Sequence, residues 1–296
     1  MMYIETQPVM RTYPTIAQSF GLSGILIALM LVVSPVTLLL NPILGKALSM
    51  LVYYLITTGS AFWIANSIRQ NVTGEASFVL AMDARIVPLI IIATVALIFG
   101  VISPLSTLIP MPEAFKEMFR GMVDHTGVAG FVMLVIAAPA FEELIFRGIM
   151  LEGLLRKYSP QTSIFVSSFL FGFVHLNPWQ FIAGFILGMF SGWVYYKTRS
   201  LLPSIIIHAA ANLCSFVAWM FVDKETAFDE TIITMYGGVG NLALVILICV
   251  ITTAICMHFL IRQFKTSGSE IPPASINGTT SVTDDTSQAN EPGVQA

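Results

Sequence analysis

Three short segments hold most of the side chains in this sequence that could do chemistry inside an apolar setting. Ala140-Phe141-Glu142-Glu143-Leu144-Ile145-Phe146-Arg147 supplies two carboxylates and a guanidinium. Phe171-Gly172-Phe173-Val174-His175 ends on an imidazole, and His208-Ala209-Ala210-Ala211-Asn212 pairs a second imidazole with an amide. Each lies in a strongly apolar run, where an ionised side chain costs roughly 2.5–3.5 kcal/mol even on lenient insertion scales. Groups placed at that cost call for a functional reason.

Helical spacing relates them. Glu143 and Arg147 are four residues apart with the acid first, the favourable order for an ion pair on one helix face. Glu142 is turned about 100° away by the helical period and keeps a free carboxylate. Arg147 is therefore expected to neutralise and position Glu143, leaving Glu142 to act. His208 and Asn212 share a face in the same way. Two chemistries fit a carboxylate, two imidazoles and an amide. Glu142, His175 and His208 give an adequate ligand count for Zn²⁺ or another divalent ion, which would lower the pKa of its bound water. In the metal-free alternative Glu142, with His175, deprotonates water directly, while His208 and Asn212 donate to the tetrahedral oxyanion. Both end in attack on a peptide carbonyl, and the sequence leaves the choice open.

The elements that must carry these groups follow from composition. Of 296 residues, 56% are hydrophobic and 10% charged, against about a quarter charged in ordinary soluble domains. Mean hydropathy is +0.82. So few charges cannot cover a globule in water, which excludes a soluble enzyme. The net charge of −3 offers no basic surface for nucleic acid. Cys214, Cys249 and Cys256 all lie in apolar stretches, giving neither a disulfide framework nor a paired metal spacing. The first apolar run lacks a small-residue cleavage site after it and reads as a retained span.

A spanning helix needs about 20 apolar residues. The charge-free runs, with 158–196 broken at Asn177-Pro178, predict about eight spans at 20–40, 47–66, 86–107, 129–153, 162–176, 179–196, 202–222 and 239–261. The expected fold is an all-α polytopic transmembrane bundle in a cell membrane. Residues 1–126 would hold spans one to three and an outer interfacial segment, 127–222 the catalytic core, 223–266 the last span and 267–296 a disordered acidic tail. With the N-terminus inside, nine Lys and Arg fall in cytoplasmic segments and four outside, which favours two cytoplasmic termini. Counting from those ends at about 1.5 Å per residue, Glu142 and His208 lie 10–15 Å deep and His175 up to ~20 Å.

The remaining features have plainer readings. Gly184, Gly188 and Gly192 form a small-residue stripe expected to bring a neighbouring backbone close beneath the site. Pro35, Pro42 and Pro104 mark kinks or span ends. His258 has no acidic or amide neighbour and reads as structural, and His125 as solvated at a span boundary. No internal repeat of the kind that marks many carriers is present.

With these residues in view, the sequence resembles the intramembrane proteases of the CAAX-processing and bacteriocin-processing (CPBP) family. The family's marks stand here as Glu142-Glu143-x3-Arg147, Phe171-x3-His175 and His208-x3-Asn212, in order on successive spans, and the resemblance covers about residues 127–215. It implies hydrolysis of a membrane-associated peptide or protein near the cytoplasmic face, with Glu142 and His175 activating water and His208 and Asn212 steadying the oxyanion. Eukaryotic relatives remove three residues after a prenylated cysteine. No histidine begins an HExxH zinc motif, Gly21-Leu22-Ser23-Gly24 has no partner histidine for a serine nucleophile, and Gly238-Val239-Gly240-Asn241 lacks the acid of a GxGD motif. A non-catalytic immunity or scaffold protein is the alternative function, and a proton- or ion-coupled carrier the third.

Overall fold

A computed structural model of the chain describes residues 12–123, 127–221 and 230–266. The tail 267–296, His125, Arg11 and Lys224 lie outside the described residues. Among the described residues the regular structure is helical, without strands. The helices are α1 (Ile16–Val33), α2 (Val36–Leu44), α3 (Lys46–Thr73), α4 (Ala84–Thr107), α5 (Glu113–Val123), α6 (Val128–Leu155), α7 (Pro160–Phe173), α8 (Pro178–Thr198), α9 (Leu201–Phe221) and α10 (Val239–Thr266). By length and composition α1, α3, α4, α6, α9 and α10 could each cross a membrane. The other two expected spans are present as α7 and α8. The molecule is a multi-pass helical bundle.

Span limits shift where polar residues prolong a helix or a proline ends it. The expected first span is divided, because α1 stops before Pro35 and α2 starts after it. Helix α3 runs past its apolar stretch to Thr73 and closes on Gly74, whose φ of +74° suits a residue without Cβ. Ser159 and Asn177 cap α7 and α8 by accepting the N–H of Thr162 and Gln180, each with proline at the first helical position. Because Asn177 precedes Pro178, it is held extended (φ −146°, ψ 148°). Helix α7 ends at Phe173, and His175 lies in the turn beyond it rather than within the helix as expected.

Two helices widen into π turns next to a proline. In α4 the π stretch 98–102 precedes Ser103-Pro104, and in α6 the stretch 132–137 precedes Ala138-Pro139. A proline inside a helix clashes with the carbonyl four residues back, and a π turn moves that carbonyl aside. Helix α6 widens again at 144–151, so Glu142 and Glu143 stand on a short α segment between two π stretches.

Helix ends sort onto two faces. Where α6 ends, Glu152 accepts from Arg199 at the end of α8 at 2.9 Å, and Arg156 pairs with Glu75 beyond α3 at 2.7 Å. The first turn of α1 meets Tyr158, and Phe264 near the end of α10 meets Trp193 at 5.3 Å between ring centroids, so both reach this same face. At the opposite face the Trp179 indole donates to the Ile109 carbonyl at 3.0 Å and packs at a tilt against Phe115 of α5.

The glycine stripe lies where α8 crosses α7. A Cβ on Gly184 would stand 3.0 Å from the Gly172 Cα, and one on Gly188 3.0 Å from the Ser168 Cβ. Backbone has nowhere to retreat at such a crossing. Gly184→Ile is expected to destabilise the protein by about 1–3 kcal/mol or more through overpacking. Gly21→Ala, where a Cβ meets nothing within 4 Å, should leave stability unchanged. Denaturant unfolding in detergent checks both.

Candidate active site

Helix α6 brings Glu142 and Glu143 to the middle of the bundle, 14 residues after Val128 and 13 before Leu155. That is about 20 Å from either helix end at 1.5 Å per residue, deeper than the sequence suggests. Glu143 and Arg147 are each 1% exposed, with Arg147 Nη1 donating to Glu143 Oε1 at 3.0 Å. The expected pair forms, and it is dry. A buried guanidinium needs more than one acceptor, and Arg147 Nη2 donates to the Gly188 carbonyl at 3.2 Å. The ring of Phe171 lies 4.6 Å from its guanidinium carbon, within the range of a cation–π contact.

His208 stands between the two carboxylates. Its Nδ1 is 3.1 Å from Glu143 Oε1 and its Nε2 is 3.9 Å from Glu142 Oε2. A carboxylate accepts, so Nδ1 carries the hydrogen and Nε2 faces Glu142. Glu142 is held from its other side, where the Tyr54 hydroxyl of α3 donates to Oε1 at 2.7 Å. Its Oε2 is thereby left toward His208, across a gap too long for a direct hydrogen bond.

His175 is anchored by its own backbone turn. Its Nδ1 lies 2.9 Å from the Phe171 carbonyl; a carbonyl only accepts, so here too the hydrogen is on Nδ1 and Nε2 is free. Phe171 meets both imidazoles edge-on, with ring centroids 5.6 Å from His175 and 5.4 Å from His208. One aromatic ring thus separates the histidines and floors Arg147. Its 4% exposure makes it part of the core.

Asn212 makes its contact elsewhere. Its amide nitrogen donates to the Leu134 carbonyl at 2.8 Å. The reason lies in the first π turn of α6. There the Ala138 N–H bonds Met133 O, five residues back, and in that register Leu134 O would face the nitrogen of Pro139, which has no hydrogen. The orphaned carbonyl needs a donor from another helix, and Asn212 supplies it.

Among the described residues no three His, Cys, Asp or Glu side chains gather as a metal ion would require. Glu142 and His208 face one another and could share an ion, but Glu142, His175 and His208 do not converge on one point. Helical spacing relates Glu143 to Arg147, and tertiary packing adds His208. Tyr54, the Gly188 carbonyl and the Leu134 carbonyl were not foreseen, since no spacing rule ties them to residues 41 to 88 positions away. Phe171 was visible only as a motif letter.

Residues 124–214 match the family model described as Type II CAAX prenyl endopeptidase Rce1-like. Over 82 residues the chain is 33% identical to the UPF0177 protein YxdF of Lactococcus lactis subsp. lactis (strain IL1403), covering 27% of this chain and 45% of that protein. The chain therefore spans less than half the length of the curated relative it matches. No solved structure matches.

The Asn212 contact has a measurable counterpart. Asn212→Ala leaves the half-buried Leu134 carbonyl unpaired and should cost about 1 kcal/mol. Pro139→Ala restores an N–H where Leu134 O needs one, so adding it to Asn212→Ala should recover much of that loss. A double-mutant cycle of unfolding free energies checks this coupling.

Proposed function

We propose, for a multi-pass membrane protein with a CPBP-family, Rce1-like core, that the site hydrolyses a peptide bond of a membrane-associated or lipidated peptide. The observation carrying this reading is Glu142: a carboxylate oriented by Tyr54, with its second oxygen turned toward His208 Nε2 at 3.9 Å. A water seated against Glu142 Oε2 gives up its proton to the carboxylate as its oxygen bonds to the substrate carbonyl carbon. The carbonyl π electrons move onto oxygen. His208, when protonated at both nitrogens, donates from Nε2 to that oxyanion while Glu143 holds Nδ1. Collapse of the intermediate re-forms the carbonyl and breaks the C–N bond, and Glu142 returns its proton to the leaving amine.

His175 has a free Nε2 fixed by the Phe171 carbonyl, suited to align the water with Glu142. Arg147 acts through Glu143, holding its carboxylate in the position from which Glu143 orients His208. Asn212 serves by fixing the α6 turn that aims Glu142. An ion shared by Glu142 and His208 would polarise the carbonyl, and no step above depends on one. The described end of α10 and the start of α1 share a face, consistent with two cytoplasmic termini.

The test is cleavage of fluorogenic membrane-anchored peptides, prenylated and unprenylated, by purified protein in nanodiscs. Glu142→Gln should lower turnover by about 10²–10⁴, the usual worth of a general base. Tyr54→Phe should lower it roughly tenfold, the loss of one hydrogen bond to a charged group. Full activity in Glu142→Gln sinks the assignment. Activity should survive a chelator; loss that a divalent ion restores would put that ion between Glu142 and His208.

A further inference from the structure

A second polar site lies at the face where α6 ends, separate from the glutamate centre. It is a cavity of about 940 Å³ lined in part by Arg69, Arg156, Lys157, Arg199, Glu75 and Glu152. Four cations therefore share it with two carboxylates. Glu152 accepts from Arg156 at 3.2 Å, Arg199 at 2.9 Å and the Tyr195 hydroxyl at 3.0 Å. Glu75 accepts from Arg156 at 2.7 Å, and this bond raises the Arg156 pKa above the usual guanidinium value. Both carboxylates are thus bonded directly by Arg156 and Arg199, whereas Arg69, on which Glu75 and Glu152 act only through space, and Lys157 form no direct ion pair among the described residues.

Arg69 is 4% exposed. Its Nε donates to Asn66 Oδ1 at 3.1 Å and its guanidinium lies 4.1 Å over the Phe78 ring. Its Nη2 is buried with no partner, as is Arg199 Nε. Unpaired donors on buried guanidinium groups are costly. Such planar forks pair bidentately with carboxylates and with the several oxygens of a phosphate, and both carboxylates of this cavity are already taken by Arg156 and Arg199. Position supports this chemistry. The turn between α8 and α9 closes the cavity through the Leu201 N–H and the Val79 carbonyl at 2.9 Å. The cavity lies where α6 and α8, two helices of the multi-pass bundle, end, and basic side chains beside the ends of such helices attract anionic headgroups.

We propose that this cavity binds a phosphate group, carried by an acidic phospholipid or free in solution, with Arg69 and Lys157 as its principal ligands. The site does not depend on the protease reading. Its nearest link to that centre is covalent, since Gly148, which also lines the cavity, follows Arg147 on α6.

The experiment uses the full chain, reconstituted with phosphatidylcholine alone or with phosphatidylglycerol, and reads retained lipid by native mass spectrometry. Thermal unfolding with inorganic phosphate, against chloride at matched ionic strength, forms the second arm. Wild type should retain one phosphatidylglycerol, lost in Arg69→Gln/Lys157→Gln and weakened in Arg69→Lys, which keeps the charge and loses the planar fork, if the phosphate belongs to lipid. A phosphate-dependent rise in Tm that the double variant lacks, without lipid retention, assigns the site to free phosphate. No binding in either arm, or binding unchanged in the double variant, overturns the proposal. Should Arg69 variants fail to fold, Lys157→Gln alone decides: affinity should fall about tenfold with one charge-assisted contact, and unchanged affinity overturns the proposal.

Discussion

The interaction on which the rest of the site depends is the dry ion pair of Glu143 and Arg147. Two charges withdrawn from water cost several kcal/mol each, and their attraction repays this only when further hydrogen bonds complete the geometry. Here three other helices supply partners, His208 from α9, the Gly188 carbonyl from α8 and the Phe171 ring from α7, while Glu143 Oε2 and Arg147 Nε stay unpaired. The pair therefore specifies one arrangement of four helices, because any other leaves a buried charge uncompensated. Glu142, one residue earlier, inherits its direction from that arrangement.

Backbone chemistry sets the remaining geometry. Proline at 139 forces α6 to widen, the widening strands one carbonyl, and Asn212 rescues it from α9. Helices α6 and α9 are thus joined twice, by the hydrogen bond of His208 to the Glu143 carboxylate and by that of Asn212 to the Leu134 carbonyl one helical turn later. The glycine stripe joins α8 to α7 by absence of side chain, which is also what brings the Gly188 carbonyl within reach of Arg147. Packing, turn geometry and electrostatics converge on one locus.

Much of this was legible beforehand. Apolar runs located the helices, since a chain with so few charges has no other way to satisfy its backbone in lipid. The offsets of Glu143 from Arg147 and of His208 from Asn212 placed each pair on one face, because those relations are internal to a helix. Helix ends were less legible: α3 continues through Asn66, Arg69 and Gln70 to its glycine stop, since polar residues propagate a helix as readily as they leave a membrane. His175 fell outside its helix because the chain turns at Leu176, whose φ of +57° cannot continue an α-helix, ahead of the extended Asn177. Tyr54 and the two carbonyls were invisible, for a backbone carbonyl has no letter in a sequence and Tyr54 meets Glu142 only through folding.

Helix α7 holds 14 residues, about 21 Å at 1.5 Å per residue, whereas the hydrocarbon layer is ~30 Å thick. The turn that follows it, 174–177, closes its own polar groups: the N–H groups of Val174, His175 and Leu176 bond Leu170, Gly172 and Phe173, and the His175 carbonyl accepts from Asn177. Irregular backbone satisfied in this way can sit at hydrocarbon depth against protein. A bilayer meeting so short a helix thins beside it or leaves it recessed. The lipid itself thereby becomes a structural variable of this molecule, because the local thickness of the leaflet sets how far a water molecule must travel to reach the half-buried Glu142.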